Sequence, residues 1–353
     1  VESDELDNAR HVAEHFGANH KEFLVDLHEM NTLPRLVWFL DEPMADPTII
    51  PTFLISRLAA EHVKVILSGD GADELLSGYF HEKSLILAKR HRRLARALGA
   101  SARIIPVRLL DIFFDYPSSL SRSSMGREGK QRILQALKSV EDEAGIYSIM
   151  ASAFRDEDKL DLYSDDVLKK IGSVTSSREI FSPFFDGSGD ISQKMLRIDT
   201  KHWLPDYILA RLDRMTMANS IEGREPFLDH RLVELSSRIP GFLKVSGSVD
   251  KYVLREAMRN RLPKEICHRP KRTFVTPVHE WGEKELLGLC SSFLSESMVR
   301  KRGYFKHTGI RRMFERYFNS KLIVGRQLWT LLTLEIWHRV YVDSDKVNMP
   351  SDM

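Results

Sequence analysis

The strongest constraint on the fold is a short apolar run that leads directly into a loop of glycines and acidic residues. Residues 63–67 (VKVIL) have the length and composition of a buried strand, and residues 68–74 (SGDGADE) follow without a break. Helical patterns at residues 6–16, 33–40 and 48–60, and a short strand pattern at 21–25, precede this run. Such alternation predicts an α/β fold with a parallel sheet, in which ligands bind at the carboxyl ends of the strands. The sequence therefore predicts a ligand site in the loop at residues 68–74.

The composition of this loop indicates the kind of ligand. Gly69 and Gly71 permit positive φ angles and a close approach of the backbone to a ligand. Asp70, Asp73 and Glu74 add carboxylates, which repel phosphate unless a cation lies between them. Because hard oxygen ligands suit Mg²⁺, we interpret the loop as a magnesium–phosphate site. An acidic turn followed by a capped helix explains the same residues equally well.

Two further segments place charged residues in an otherwise apolar context. Residues 213–230 carry charges of both signs, and buried charges have to be paired. We therefore expect ion pairs among Asp213, Arg214, Glu222 and Arg224, and a scaffolding role for the last two and for Asp229.

The second of these segments begins at residue 251. Lys251 and Arg255 are four residues apart, so they share one face of a predicted helix and could together clamp a polyphosphate. A solvated pair on the surface is the commoner explanation of such a spacing.

The remainder of the chain has mainly helical patterns. Residues 83–180 are predicted to be largely helical, with a loop at Ser182–Pro183 and another at residues 187–189. A helix is predicted over residues 199–220, broken at Pro205, and more helices at 232–238, 251–261, 283–294 and 322–341. We expect one domain over residues 1–342 and a polar, disordered tail at 343–353.

Composition argues against several classes of function. The 52 basic and 50 acidic residues leave a net charge of +2, so bulk attraction to nucleic acid or to anionic lipid is weak. A basic cluster between Lys89 and Arg108 is interpreted as a solvated helical face or a contact with another domain rather than a nucleic-acid site. Two cysteines, and no apolar run of the ~20 residues that a membrane span needs, predict a cytoplasmic protein without a membrane segment.

The motifs resemble those of the asparagine synthase family. Residues 68–79 (SGDGADELLSGY) are similar to its signature, which commonly runs Ser-Gly-Asp/Glu-Gly-Gly-Asp-Glu and ends in Gly-Gly-Tyr. Residues 213–230 (DRMTMANSIEGREPFLDH), 251–257 (KYVLREA) and 262–277 resemble the blocks that follow, in unchanged order. The resemblance runs from near residue 2 to about residue 340. It implies an adenine nucleotide alpha hydrolase-like fold of the pyrophosphate-loop type: a parallel sheet with flanking helices, plus a largely helical C-terminal half.

The resemblance also implies an activity. Asparagine-forming members of this family use ATP and Mg²⁺ to adenylate the side-chain carboxylate of aspartate, releasing pyrophosphate. Ammonia, released from glutamine by a separate N-terminal class II glutaminase domain, then attacks the acyl group. Carried over by position, Leu67, Ser68 and Gly69 would bind ATP and Asp73 would hold Mg²⁺. The same comparison makes Asp70 and Lys251 catalytic, and it places Asp213 and Arg214 on the substrate side.

Departures from the family pattern limit these expectations. A strand with a Ser-Gly-Gly-x-Asp-Ser loop, which opens the family's synthetase domain, is absent from these 353 residues, as is the glutaminase with its N-terminal cysteine. Neither Cys267 nor Cys290 replaces that cysteine. We therefore expect a truncated chain that makes no amide alone. Ser77 stands where a glycine is usual. A different carboxylate acceptor (a secondary metabolite or a cell-surface polymer), a non-catalytic fragment and a homodimer remain open.

Overall fold

The computed structural model describes residues 6–23, 27–100, 122–269 and 283–344, and helices dominate these ranges. In the first half they are α1 Leu6–Phe16, α2 Leu33–Leu40, α3 Ile49–Ala60, α4 Ala72–Leu76, α5 Phe80–Arg90, α6 Arg92–Ala100, α7 Arg122–Lys138, α8 Glu143–Ala151, α9 Asp156–Leu162 and α10 Asp165–Ile171. In the second half they are α11 Ser177–Phe185, α12 Ile191–Ile198, α13 Ala210–Met217, α14 His230–Arg238, α15 Gly241–Lys244, α16 Tyr252–Met258, α17 Lys264–His268, α18 Glu283–Phe293, α19 Glu296–Arg302, α20 His307–Tyr317 and α21 Lys321–Tyr341. Short 3₁₀ helices span Leu27–Thr32 and Pro226–Leu228, and a π-helix spans Asp199–Leu209.

Two short parallel strands, distant in sequence, form a small sheet within the described residues. Strand β1 is Val65–Leu67 and strand β2 is Glu222–Arg224, with Ile66 opposite Gly223. The pairing extends past β1, because the backbone N–H of Ser68 donates to the carbonyl of Arg224 at 2.8 Å. The predicted parallel sheet is thus confirmed for these two strands. Residues 21–23 form no strand, and residues 24 and 25 of the predicted strand at 21–25 lie outside the described residues.

The outward face of β1 differs from the prediction. We expected a buried strand, but Val65 is 41% exposed and Leu67 is 73% exposed. Among the described residues no element covers the face that carries these two side chains. The apolar run therefore predicted the strand correctly, but the prediction that the strand is buried was wrong, because burial depends on what packs against the sheet.

The largest core surrounds the last helix. Helix α21 packs against α2, α7, α18 and α20. Buried side chains from α2, α3, α20 and α21 form one continuous apolar cluster, to which α13 adds Met215. Helices α2 and α3 lie near the start of the described chain and α21 lies near its end, so this core joins segments that are distant in sequence.

A second core and a small third one complete the interior. The second core joins α5, α6, α7, α8, α11 and α12. The third lies directly beneath α4 and contains Leu75, Leu76 and Leu196, with Leu228 packed against them. The loop before α4 therefore rests on a small apolar cluster that connects it to α12 and to the 3₁₀ helix after β2.

Two prolines that we expected to interrupt helices lie inside them. Pro183 lies within α11, where we predicted a loop, because the helix buries Phe185 in the second core. Pro205 lies within the π-helix Asp199–Leu209, where we predicted a break. A π-helix has a wider turn, which accommodates the proline ring and its missing N–H without ending the helix.

The described end of the chain is anchored. Asp343, the first residue of the predicted tail, pairs with Arg302 at 2.8 Å, and residues 345–353 lie outside the described residues. No helix in the described ranges is both long and apolar enough to cross a membrane. Cys267 and Cys290 are buried free thiols in α17 and α18, which agrees with an incidental role.

Candidate active site

The loop between β1 and α4 has a shape that requires a glycine. Gly71 has a φ angle of +90°, which residues with a Cβ atom rarely adopt. A Cβ atom at this position would also lie 2.4 Å from Cδ2 of Leu228. Gly71 thus allows the loop to pack closely against the 3₁₀ helix Pro226–Leu228. The turn at Gly71 also determines the position of the neighbouring Cα atom of Asp70.

Both carboxylate oxygens of Asp70 are held by neighbours. The hydroxyl of Ser68 donates to Oδ2 of Asp70 at 2.6 Å, and Nη2 of Arg211 donates to Oδ1 at 3.3 Å. Arg211 is buried in α13, and sequence reasoning did not select it. The same guanidinium reaches back to the segment before α3, where its Nη1 bonds Asp46 at 3.2 Å and Thr48 at 2.8 Å.

The orientation of α13 buries one of its charged residues and exposes two others. Arg211 points inward, whereas Asp213 and Arg214, which we predicted on the substrate side, are exposed. Arg214 pairs with Asp41 at 3.0 Å. The sequence did hold one signal for Arg211: it is a cation at a position that shares a helical face with the apolar Met215.

Asp73 and Lys251 form the second charged contact of the site. Nζ of Lys251 lies 3.0 Å from Oδ1 of Asp73, so the structure brings together two residues that are 178 positions apart and that the motifs selected independently. Gly78 makes this approach possible, because a Cβ atom there would lie 1.9 Å from Oδ1 of Asp73 and 2.4 Å from Cε of Lys251. Lys251 itself precedes α16 and has a φ angle of +48°.

Arg255 does not join Lys251, so the structure shows neither the joint clamp nor the solvated surface pair, because the two side chains are only 19% and 18% exposed. Its guanidinium donates to Asp250 at 2.8 Å and to the backbone carbonyls of Cys267 and Arg269. These contacts tie α16 to α17. Arg255 is therefore a structural residue, because its donors are committed to the protein.

Glu74 is also structural, although the sequence grouped it with the loop carboxylates. The hydroxyl of Tyr79 donates to Glu74, and the indole of Trp203 donates to that hydroxyl at 3.2 Å. Glu74 is buried beneath the loop, and this burial raises its pKa. Its side chain thus secures α4 to the π-helix and faces away from the exposed side of the loop.

Strand β2 and the segment after it add one more acid, a local ion pair and a helix cap. Burial raises the pKa of Glu225, and the charges of Asp70 and Asp213 raise it further, so both of these carboxylates lie near Glu225. Arg224 pairs with Glu222 at 2.8 Å, which is one of the pairs we expected. Asp229 caps α14 through the backbone N–H of Arg231, in agreement with a scaffolding role.

The donor groups of the loop suit a metal that is shared with phosphates. In the described part of the chain, no group of three or more His, Cys, Asp and Glu side chains could hold a metal ion alone. Mg²⁺ is commonly bound by only one or two carboxylates together with substrate phosphates. Asp73 offers such a carboxylate beside the cation of Lys251, so the residues present fit a magnesium–phosphate ligand.

Comparison with known proteins places the chain in a family. The family model described as "Asparagine synthase" matches residues 1–339, and the chain therefore belongs to the asparagine synthase family. It is 30% identical over 352 residues to asparagine synthetase (glutamine-hydrolyzing) 1 of Bacillus subtilis, covering 99% of this chain and 52% of that protein.

More limited similarity extends to two other proteins. Asparagine synthetase (glutamine-hydrolyzing) 3 of Bacillus subtilis is 34% identical over 131 residues, which cover 35% of this chain and 21% of that protein. "Amidase chry2" of Gibberella zeae is 22% identical over 351 residues, covering 90% of this chain and 48% of that protein. The chain spans about half the length of the curated relatives that match it along most of its length.

Proposed function

We propose that the protein containing this chain is an ATP-dependent ligase that adenylates the side-chain carboxylate of aspartate and converts it to asparagine, AMP and pyrophosphate. The observation that carries the proposal is the family match over residues 1–339. The geometry supports it, because Asp70, Asp73 and Lys251 lie around one loop at the carboxyl end of β1.

The loop backbone supports the proposed ATP contacts. Leu67 ends β1, and Ser68 and Gly69 begin the loop on its exposed side. A Cβ atom at Gly69 would have no neighbour within 4 Å, so open space lies beside the backbone there. We assign these three residues to ATP binding, in a fold of the pyrophosphate-loop type.

The charged residues have separate proposed roles. Asp73 would hold Mg²⁺, which when bound neutralises charge on the phosphates and favours departure of pyrophosphate. Lys251 would bind the same phosphates, and its contact with Asp73 keeps the cation at that place. Asp70 acts at the reacting carboxyl group, with Asp213 and Arg214 on the substrate side. The remaining half of the protein would supply a glutaminase that releases ammonia, in a cytoplasmic setting.

The test is aspartate-dependent exchange of labelled pyrophosphate into ATP by the protein from the complete reading frame that contains these residues. We expect exchange with aspartate and Mg²⁺, and none without aspartate. Substituting Lys251→Ala should lower the rate by about 100-fold or more, because it removes a charge that stabilises the leaving pyrophosphate. Lys264→Ala, an exposed lysine of α17, is the matched control and should keep the wild-type rate.

Two results would contradict the proposal. Exchange that depends on another carboxylic acid and not on aspartate would move the protein to a different acceptor. Equal rates for Lys251→Ala and Lys264→Ala would remove Lys251 from the site.

A further inference from the structure

A buried guanidinium connects three segments of the chain behind the loop. Arg211 lies in α13, Asp46 and Thr48 precede α3, and Asp70 follows β1. The side chains of Arg211 and Asp46 are only 10% and 3% exposed. The network therefore lies largely out of water, where charged hydrogen bonds are strong and an unpaired charge is costly.

The partners of Arg211 are themselves fixed. The backbone N–H of Thr48 donates to Oδ1 of Asp46 at 2.9 Å, which leaves Oδ2 of Asp46 to accept from Arg211. Burial raises the pKa of Tyr207, one turn before Arg211, and the charge of Asp46 raises it further, so Tyr207 also lies near Asp46. The guanidinium thus has one rigid side, formed by Asp46 and Thr48, and presents its other terminal nitrogen to Asp70.

The hydrogen bonds of Arg211 indicate how it acts. Nη1 donates to Asp46 and Thr48, and Nη2 donates to Asp70, so both terminal nitrogens form hydrogen bonds within the protein. Its Nε is buried and has no hydrogen-bond partner among the described residues. The side chain of Arg211 is 10% exposed and its hydrogen bonds are made to protein groups, so its influence on chemistry passes mainly through Asp70.

Ser68 alone leaves the carboxylate of Asp70 incompletely oriented. The hydroxyl of Ser68 contacts only Oδ2, and it belongs to the same loop as Asp70. Arg211 supplies the contact to Oδ1 from a helix that is anchored in the core through Met215. A single hydrogen bond from Ser68, within the same loop, cannot hold the carboxylate at a fixed distance from β2 and α13. The planar guanidinium of Arg211 can, because its other side is bound to buried groups.

We propose that Arg211 is a positioning residue, which uses Asp46 and Thr48 as an anchor to hold the Asp70 carboxylate in its reactive orientation. The proposal depends on the function proposed above in one respect, which is that Asp70 takes part in the reaction. It adds the anchor formed by Asp46 and Thr48 to the site, although neither residue contacts the loop itself through a described hydrogen bond.

The test is a double-mutant cycle between Arg211 and Asp70 in the protein from the complete reading frame. Arg211→Gln should lower kcat at saturating ATP and acceptor by about 10- to 100-fold, since a small misplacement of a reacting group has effects of this size. In an Asp70→Asn background the same substitution should change kcat less than about twofold, because residues that act together are not additive. A purely structural arginine would give the same factor in both backgrounds.

Three further variants keep the result interpretable. Arg211→Gln leaves Asp46 as a buried charge without its cation, so Arg211→Gln combined with Asp46→Asn restores neutrality if the single variant folds poorly. Arg211→Lys keeps the charge but cannot bridge Asp46 and Asp70, and we expect it to lose activity as Arg211→Gln does. Arg231→Gln removes an exposed arginine–carboxylate pair and should keep wild-type activity.

A second measurement does not depend on catalysis. Hydrogen–deuterium exchange at the amides of residues 69–72 should be faster in Arg211→Gln than in the wild type and unchanged in Arg231→Gln. If the wild type lacks aspartate-dependent activity, the proposed function fails, and this measurement alone decides the positioning of the loop. Additive losses of kcat in the cycle, or unchanged exchange of the loop in Arg211→Gln, would overturn the proposal.

Discussion

Ser77 adopts a backbone conformation that its side chain disfavours. It ends α4 with φ 55° and ψ 54°, in the left-handed region, and its neighbour Gly78 contacts the Asp73–Lys251 pair. A residue with a Cβ atom in this region costs roughly 1–2 kcal/mol. The helix nevertheless ends there, because the backbone N–H of Gly78 donates to the carbonyl of Asp73 at 2.9 Å. The strain is located beside the proposed phosphate site.

Replacing Ser77 by glycine should therefore stabilise the protein. Ser77→Ala keeps the Cβ atom and removes only the hydroxyl, so it is the matched control. We expect Ser77→Gly to be more stable than Ser77→Ala by about 1 kcal/mol, since relief of strain exceeds the added entropy of the unfolded chain. Urea denaturation measures this difference. If the alanine variant is the more stable of the two, the left-handed conformation of residue 77 carries no strain.

At the scale of elements, a buried pair of acids joins α5 to the π-helix. Glu82 is 0% exposed and Asp199 is 1% exposed, and the carboxylate charge of Asp199 acts on Glu82. Two carboxylates buried together repel each other in a medium of low dielectric, which favours a proton on one of them. The hydroxyl of Tyr147 already donates to Asp199 at 3.1 Å, which favours the proton on Glu82. Burial raises the pKa of Glu82 well above its ordinary value, and Asp199 raises it further.

Other titratable groups face this pair. Glu74 and Asp73 on α4 also raise the pKa of Glu82. Lys244 on α15 is buried, and its Nζ has no hydrogen-bond partner among the described residues. Burial lowers the pKa of Lys244, while the charge of Glu82 opposes this effect. The stability of the junction between α5 and the π-helix is therefore expected to depend on pH.

Glu82→Gln should flatten the dependence of stability on pH. Because the folded state raises the pKa of Glu82, its proton stabilises the fold fully below the unfolded value of 4.5, and this contribution is lost as pH rises through the folded value. Between the unfolded and the folded pKa of Glu82, the free energy of unfolding of the wild type should fall by about 1.4 kcal/mol per pH unit relative to that of Glu82→Gln. Urea denaturation from pH 4.5 upward measures it. Glu234→Gln, at an exposed position of α14, should retain the wild-type slope; an identical slope in Glu82→Gln would show that Glu82 is not protonated in the fold.

At the scale of the whole molecule, α21 holds the early and late segments together. Trp329 is 1% exposed in the main core, between helices from both ends of the described chain. Near the end of α21, the indole of Trp337 donates to the carbonyl of Asp41 at 2.7 Å, and the hydroxyl of Tyr341 donates to Asp41 at 3.2 Å. Asp41 in turn pairs with Arg214 of α13, so the C-terminal helix is linked to the helix that carries Arg211.

Removing the Trp329 side chain should destabilise the entire domain. Trp329→Ala should cost about 3–5 kcal/mol, because it removes a fully buried aromatic ring and leaves a cavity. Trp329→Phe should cost less, and Phe242→Ala, which truncates an exposed ring, should stay within about 0.5 kcal/mol of the wild type. Thermal and urea unfolding measure the change. A loss in Trp329→Ala no larger than in Phe242→Ala would mean that α21 is not central to the core.

The sequence by itself determined the local structure and the identity of the motifs. Helical periodicity predicted α1, α2, α3 and α21 nearly to their ends, because an amphipathic pattern and its capping residues are local. The apolar run also predicted that β1 leads into the loop with Asp70 and Asp73, and the resemblance to the asparagine synthase family implied that Lys251 belongs to the same site. The predicted loop at Pro183 and the predicted break at Pro205 were wrong, because packing in α11 and the wider turn of the π-helix outweigh the local preference of proline.

Only the tertiary structure decided which charges meet. Lys251 pairs with Asp73 while Arg255 does not, and Arg211 reaches Asp70 while Asp213 and Arg214 face outward. These outcomes depend on the rotation of α13 and α16 about their axes, which is set by the residues that they bury. The exposure of β1 likewise depends on what covers it. Sequence fixes the chemistry of each side chain, but proximity across more than a hundred residues is a property of packing, since no local pattern records the distance between segments.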